Sequence, residues 1–154
     1  MATEIEKKFL VVGEDWRELG QPRYYQQAYL SINKGRTVRI RIVEDDAWLT
    51  IKGLKVGLSR PEFEYRIPLD DAKQLMELCV ARPVEKYRYQ IPIGDVTWEV
   101  DEFLADNAGL IVAEVELRSE DQSVSLPDWI GVEVTSDPRY ANSRLAQEPF
   151  CEWA

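Results

Sequence analysis

The chain has 154 residues, of which 45% are hydrophobic and 31% are charged, a balance typical of a globular protein rather than a disordered one. At this length we expect a single domain over residues 1–154 with a substantial core. The net charge of −9 argues against a nucleic-acid partner held mainly through phosphate contacts, although a metal-loaded site could still bind an anion.

Several other classes are excluded by what the sequence lacks. There is no apolar run of about 18 residues, and no basic segment followed by an apolar one near the start, so we expect neither a membrane span nor a secretory signal. Cys79 and Cys151 are isolated and lack a metal-site spacing, which favours a reduced, cytoplasmic protein. The absence of histidine excludes His-based triads and His-liganded zinc.

The first predicted element, residues 3–11, alternates with a period of two. Glu4, Glu6 and Lys8 share one face, and Ile5 and Phe9 share the other. One such strand would be an ordinary half-exposed strand, but the pattern returns in at least five later segments. Further strands are predicted at 24–33, 37–43, 48–52, 60–67, 85–91, 96–103, 110–118 and 130–134.

Turns and helices are predicted between these strands. Lys34-Gly35 is a tight hairpin signal, and residues 13–17 predict a turn that leads into a short helical piece. A helix is predicted at 70–79, with an acidic N-terminal cap and an end at Arg82-Pro83. A second, short helix is predicted at 139–146, with Asp137 as its cap.

The predicted fold is therefore mainly β with a few helices (α+β), built on an antiparallel sheet of about eight strands. Opposite the apolar faces, the strands carry many charges of both signs. If the sheet closes into a barrel, these faces line one polar interior and the helices cover part of the exterior. Arg60, Arg66 and Arg118 are interpreted as framework partners of the carboxylates.

Such an interior needs partners for its charges, because unpaired buried charges are costly. Carboxylates in alternate pairs suit hard divalent cations such as Mg²⁺ or Mn²⁺. Clustered arginines and lysines suit phosphate oxygens. Both together indicate metal-assisted phosphoryl transfer. The alternative for each carboxylate is a salt bridge across the lumen, an interpretation with most weight for Glu62 and Glu99.

The order of these motifs resembles that of the CYTH superfamily, the triphosphate tunnel metalloenzymes. The resemblance runs from about residue 3 to about residue 148 and includes the stretch 139–143, which is similar to the family's short helix near one tunnel mouth. It implies a closed eight-stranded antiparallel tunnel. The motifs that carry it are Glu4-x-Glu6-x-Lys8, Arg39-x-Arg41, Lys52, Glu62-x-Glu64, Lys86-x-Arg88, Asp101 and Glu114-x-Glu116.

The resemblance also implies roles for these residues and two divalent ions, Mg²⁺ or Mn²⁺. One ion would be held by Glu4, Glu6 and Glu114. The second ion and the attacking water would be held or oriented by Glu64, Asp101 and Glu116. The triphosphate would be clamped by Lys8, Arg39, Arg41, Lys52, Lys86 and Arg88.

The proton acceptor is left open between a metal-activated water without a protein base and two candidate residues, Lys8 on the first predicted strand and Tyr29 on the second. A metal-activated water can dispense with a protein base. Tyr29 shares the parity of Gln27 and Ser31, and the resemblance to the compact bacterial members points to it as an acceptor, with Lys8 beside it. The plainer interpretation of Tyr29 is packing in the barrel wall or a hydrogen bond to substrate.

The resemblance to the compact bacterial inorganic triphosphatases implies metal-dependent hydrolysis of inorganic triphosphate (tripolyphosphate). Thiamine triphosphatase, nucleoside triphosphatase and class IV adenylate cyclase are alternatives on the same scaffold. A non-enzymatic polyphosphate-binding module is disfavoured because both Glu-x-Glu pairs are present. We expect a monomer or homodimer without nucleic-acid or membrane partners.

Overall fold

The computed structural model describes residues 3–153, and antiparallel strands dominate this part of the chain. It contains nine strands: β1 Thr3–Val11, β2 Pro22–Asn33, β3 Arg36–Val43, β4 Asp46–Gly53, β5 Ser59–Ile67, β6 Val80–Ile93, β7 Val96–Phe103, β8 Ile111–Glu116 and β9 Ile130–Glu133. Two short α-helices, α1 Leu69–Met76 and α2 Asn142–Leu145, accompany them. Single 3-10 turns lie at Asp15–Glu18, Ala105–Asn107, Pro138–Tyr140 and Phe150–Glu152. The mainly β prediction is confirmed.

Eight of the strands pair in a ring. Their order is β5-β4-β3-β2-β6-β7-β8-β1, and β1 pairs back with β5. This last pairing is short, since it joins Thr3, Glu4 and Ile5 to Pro61, Arg60 and Ser59. Farther along, β1 pairs with β8 and with β9, so the ninth strand is attached to the ring through β1.

Two of the three clusters of buried side chains lie on the face of the strands opposite the charges, and the third, which contains Val84 and Phe103, lies on the charged face. On β1, β7 and β8 the largest cluster contains Trp98, which packs edge-on against Phe9 at 5.6 Å and Trp129 at 5.9 Å between ring centroids. Trp16, fully buried, meets Tyr89 edge-on at 4.9 Å. Each buried side chain of this size contributes about 1.5–3 kcal/mol. The clusters around Trp98 and Ile40 therefore bury the outer, apolar face of the ring.

The other two clusters fix the helices against the ring. Ala72 of α1 packs in a cluster with Ile40 and Ala47, and residues of the last segment, including Tyr140 and Leu145, pack in the other. No helix among residues 3–153 is long and apolar enough to cross a membrane.

The structure corrects the predicted cap of the first helix. The residue at the N-cap of α1 is Pro68, and no side chain there caps the helix. Asp70 and Asp71 lie in the first turn instead, where their charges still favour the positive end of the helix dipole. The helix also ends at Met76, before Cys79, because the amides of residues 77–79 donate to carbonyls three residues earlier, as in a 3-10 turn, instead of four.

Strand β6 begins earlier than predicted and includes Arg82-Pro83. Gln27 on β2 pairs with Val84, and Tyr29 pairs with Val80, so residues 81–83 form a bulge. Ala81 has φ +63° there, and proline is tolerated at such a site because the bulge needs no donor from it. The bulge therefore replaces the predicted stop with a continuous strand.

The short helix predicted at 139–146 is divided in two. Asp137 caps it as predicted, since the Arg139 amide donates to Asp137 Oδ1 at 3.1 Å. At Ala141, however, the backbone is extended (φ −68°, ψ 135°), which separates the turn Pro138–Tyr140 from α2. This extended residue brings Asn142 to the start of a new helix.

Candidate active site

The charged faces of the ring strands meet around one cavity of about 230 Å³. Among the described residues its lining includes seven glutamates and seven lysines or arginines, so the fully ionised set is neutral overall. The lining residues are Glu4, Glu6, Glu62, Glu64, Glu99, Glu114, Glu116, Lys8, Arg39, Arg41, Lys52, Arg60, Lys86 and Arg88, with Tyr29, Thr37, Ala141, Asn142 and Ser143.

Strand register brings the two carboxylate motifs of β1 and β8 together. Glu6 is directly opposite Glu116, and Lys8 is directly opposite Glu114. Like charges at opposed positions repel each other across a strand pair. This end of the cavity is therefore crowded with negative charge.

The pKa values show that this negative charge is not fully balanced by the protein. Burial, together with the charges of Glu114 and Glu4, raises the pKa of Glu6 to about 8. Burial and neighbouring carboxylates also raise the pKa of Glu62 and of Glu116. A cation placed here would relieve the repulsion.

Glu4 is the exception in this group because it has a close partner. Lys52 Nζ lies 3.0 Å from each of its carboxylate oxygens. Burial opposes ionisation, but the Lys52 charge and its hydrogen bond outweigh it and lower the pKa of Glu4 to about 2. Lys52 Nζ also lies 3.4 Å from Glu62, so one lysine serves two carboxylates.

Another part of the cavity wall has the opposite imbalance. Burial and the charges of Arg39 and Arg88 lower the pKa of Arg41 to about 9. The pKa of Lys86 falls to about 7, because burial and the neighbouring arginines outweigh Asp101. The guanidinium carbons of Arg41 and Arg88 each lie 5.0 Å from the ring centre of Tyr25. An anion placed here would stabilise these cations.

The two proposed catalytic residues both lie on the cavity wall. Burial alone would lower the pKa of Lys8, but Glu114, Glu6 and Glu4 outweigh it and raise the pKa overall, so Lys8 stays a cation. Tyr29 is 5% exposed and stands opposite Arg39 in the β2–β3 pair. Arg39 in turn donates to Thr50 Oγ1, which donates to Glu64.

Asp101 is the one predicted site residue that the structure does not bring to the cavity lining. It is fully buried behind two cations. Arg88 donates to both of its oxygens at 2.7 and 2.9 Å, and Lys86 Nζ lies 2.7 Å away. In this arrangement the carboxylate orients Lys86 and Arg88 and has no free face for a metal.

The donor set around Glu6 fits a hard divalent cation by its chemistry, since several carboxylates there are mutually repelled. As they stand, no three acidic side chains among residues 3–153 are grouped closely enough to form a finished metal site. Glu4 is directed at Lys52 and Glu64 at Thr50. Binding a metal would thus require some of these carboxylates to exchange partners.

The cavity also contains residues that the sequence motifs did not assign to a site. Thr37 shares the parity of Arg39 and could have been found from the alternation. Arg60 was interpreted as framework; it lines the cavity while donating to the Gly53 carbonyl. Asn142 lies outside the alternating strands; the resemblance placed the stretch 139–143 near one tunnel mouth but assigned Asn142 no role.

Comparisons with known proteins agree with this geometry. Residues 2–146 match the model of the CYTH domain. The chain is 46% identical over 151 residues to an inorganic triphosphatase of Acetivibrio thermocellus, covering 97% of each chain. It is 36% identical over 148 residues to an inorganic triphosphatase of Nitrosomonas europaea, covering 94% of this chain and 97% of the other. The crystal structure of the inorganic triphosphatase NE1496 superimposes with a TM-score of 0.64 at 32% identity, over 92% and 96% of the two chains.

The raised pKa of Glu6 predicts how stability depends on pH in the presence of a chelator. Folding favours the protonated carboxyl, so the free energy of unfolding should fall as the pH rises from 4.5 to about 8. Glu6→Gln removes this group. Over the same pH range, the free energy of unfolding of the variant should fall by at least about 1 kcal/mol less than that of the wild type, or about 2–4 °C less in Tm. Thermal unfolding across this pH range measures the effect.

The matched control for this measurement is Glu77→Gln, a change of the same kind at an exposed position after α1. It should follow the wild-type curve. An equal loss of stability with pH in wild type and Glu6→Gln would contradict an origin of the pH dependence in the Glu6 carboxylate.

Proposed function

Because this chain belongs to the CYTH domain family, we propose that it is an inorganic triphosphatase that hydrolyses triphosphate to diphosphate and phosphate. The observation that carries the proposal is the separation of charge in the cavity. Carboxylates with raised pKa values stand at one part of the wall, and cations with lowered pKa values stand at another. Such a cavity suits a divalent cation and a polyanion bound together.

We propose that the ring of eight strands is a closed β-barrel and that the cavity is the lumen of its tunnel. The closing β1–β5 pairing and the charged lining support this. The same reasoning supports a single domain over residues 1–154 and, from the free Cys79 and Cys151, a cytoplasmic location. A monomer or homodimer without nucleic-acid or membrane partners remains our expectation.

The proposed metal ligands are the lumen carboxylates. Glu4, Glu6 and Glu114 would hold one Mg²⁺ or Mn²⁺, and Glu64 and Glu116 would hold a second. Bound there, a divalent ion supplies charge neutralisation at the phosphate oxygens and acidifies a water. The expected part of Asp101 in the second site stays a prediction; its present contacts support a role in fixing Lys86 and Arg88.

The proposed phosphate clamp consists of six cations that line the cavity: Lys8, Arg39, Arg41, Lys52, Lys86 and Arg88. Arginine can grip two phosphate oxygens through parallel donors, and lysine contributes a compact charge. Their distribution over β1, β3, β4 and β6 would surround a short polyanion from several sides.

Hydrolysis requires a water oxygen to bond to the terminal phosphorus while the anhydride bond breaks and diphosphate leaves. We propose that Tyr29 Oη accepts the proton of that water. Lys8 supports the proposal because it lines the same cavity as Tyr29 and carries a positive charge there. Lys8 remains protonated and therefore serves as a donor.

Inorganic triphosphate is favoured over nucleotides by the composition of the lining. Tyr29 is the sole aromatic residue among the described lining residues, and it is 5% exposed, so the wall offers no stacking platform for a base. Turnover of inorganic triphosphate, ATP and thiamine triphosphate should be compared with Mg²⁺ or Mn²⁺. Inorganic triphosphate should have the highest kcat/KM; faster turnover of either other substrate would refute the substrate assignment.

Replacing metal-binding carboxylates should separate activity from folding. Glu6→Gln and Glu116→Gln should each lower kcat/KM at least about a hundredfold at fixed Mg²⁺, because each removes a charged ligand. Both should remain folded, and the increase in Tm on adding Mg²⁺ should shrink. Wild-type activity at saturating metal in both variants would remove these residues from the site.

Tyr29→Phe tests the proton acceptor. Without the hydroxyl, kcat should fall about a hundredfold, while KM for triphosphate changes little. Tyr24→Phe is a matched control because Tyr24 lies on the same strand and is exposed, with its hydroxyl bonded to Glu85. Near-normal turnover of Tyr29→Phe would leave the proton to be taken by another group.

A further inference from the structure

Two amide side chains connect two cations of the cavity. Arg41 Nε donates to Gln27 Oε1 at 2.9 Å, and Gln27 Nε2 donates to Asn142 Oδ1 at 2.8 Å. The same oxygen of Asn142 accepts from Lys86 Nζ at 2.9 Å. We call Gln27 and Asn142 the amide pair.

The chemistry of the donors fixes how the amide pair is oriented. Arginine and lysine side chains can only donate, so Gln27 must present its oxygen to Arg41 and its NH₂ to Asn142. Asn142 must then present its oxygen to both Gln27 and Lys86. Its own NH₂ has no acceptor in the described part of the chain, and the residue lines the cavity.

Burial makes these bonds significant. Gln27 and Lys86 are both 0% exposed, and a buried polar group without a partner is costly. Asn142 is brought to them by the last segment, whose Tyr140 and Leu145 pack in a cluster with Val84 and Phe103. Val84 is paired with Gln27, and Phe103 with Lys86, so this packing lies on the same face of the strands as the amide pair and holds Asn142 there.

The amide pair is unusual because it contacts two cations without carrying a negative charge. Within residues 3–153, Arg41 has no salt bridge to a carboxylate, although seven glutamates line the same cavity. A glutamate at position 27 could accept the same hydrogen bond but would cancel the charge. Glutamine orients the guanidinium through Nε and leaves its charge and its two terminal nitrogens for another ligand.

We propose that Gln27 and Asn142 are positioning residues of the triphosphatase reaction, which orient Arg41 and Lys86 toward the polyphosphate without neutralising them. The inference rests on the proposed function. The two residues act through the clamp and take no part in moving the proton.

The decisive variant is Gln27→Glu, which keeps an oxygen acceptor for Arg41 Nε and adds a negative charge. Binding of inorganic triphosphate is measured by calorimetry without metal, and hydrolysis is measured with Mg²⁺. The Kd and KM should rise at least about tenfold, because the substrate loses a charge-assisted contact. The Tm should change little, because the new carboxylate pairs with Arg41 while the hydrogen bond that the Gln27 NH₂ donates to Asn142 is lost. If Gln27 only stabilised the fold, Gln27→Glu would not weaken triphosphate binding while the Tm stays the same.

Two further variants keep the test informative if Gln27→Glu does not fold. Asn142→Asp preserves the acceptor for Lys86 and Gln27 but adds charge, and should also raise Kd. Gln27→Met loses the acceptor, so both Kd and the solvent exchange of the Arg41 Nε–H proton, followed by NMR, should increase. Arg144→Ala is the control on α2, where only a surface ion pair with Glu148 is lost; it should change neither quantity.

The outcomes separate this inference from the proposed function. Wild-type hydrolysis with unchanged Kd in Gln27→Glu and Asn142→Asp would overturn the positioning role alone. Wild-type binding of triphosphate without hydrolysis would overturn the enzymatic function, and weaker binding by these variants would still support an amide pair that orients an anion clamp. Absence of triphosphate binding by the wild type would overturn both.

Discussion

The structure depends on enclosing charges of both signs inside a ring of strands. A charge removed from water requires a partner, and the interior partners here are incomplete on both sides. Glu6 faces Glu116, while Arg41 stands among other cations and forms no salt bridge with a carboxylate of residues 3–153. The protein therefore keeps a site whose charges are completed by what binds there, and part of the free energy of binding is held as electrostatic imbalance in the free protein.

The outer surface makes this arrangement possible. Because side chains alternate along each strand, every inward charge is flanked by outward residues that can be buried under turns and helices. Trp16, Trp98 and Trp129 are all largely buried on that outer side. Their packing offsets the cost of a cavity lined by carboxylates and cations, and it holds the strands in register around that cavity.

Much of this organisation follows from the sequence because a period of two needs no tertiary information. The alternation placed Glu4, Glu6, Arg39 and Arg41 on one face, and β1 and β7 begin and end as predicted. Helix ends were less accurate, since the cap at Pro68 and the extended Ala141 depend on local backbone geometry.

Contacts between distant segments could not be predicted from alternation. Asp101 shares the parity of its neighbours, yet it stands directly opposite Arg88 in the β6–β7 pair, and its carboxylate is bonded to Arg88 and Lys86. The position of Asn142 depends on packing between segments far apart in the chain, as its bond to Gln27, 115 positions away, shows. Parity predicts the face of a strand on which a side chain lies, but its hydrogen-bond partner depends on how the strands pair and pack around the ring.

The pairing of β1 with three other strands has a consequence for how the molecule folds. This strand carries Glu4, Glu6 and Lys8, and its partners β5, β8 and β9 follow about 55, 105 and 120 residues later. During synthesis, the carboxylates of β1 leave the ribosome before the strands with which β1 pairs have been made. The charged interior is therefore assembled in the last steps of folding. A chain with so many distant pairings is expected to fold slowly, and for most of that time the proposed metal ligands of β1 remain hydrated and without a site.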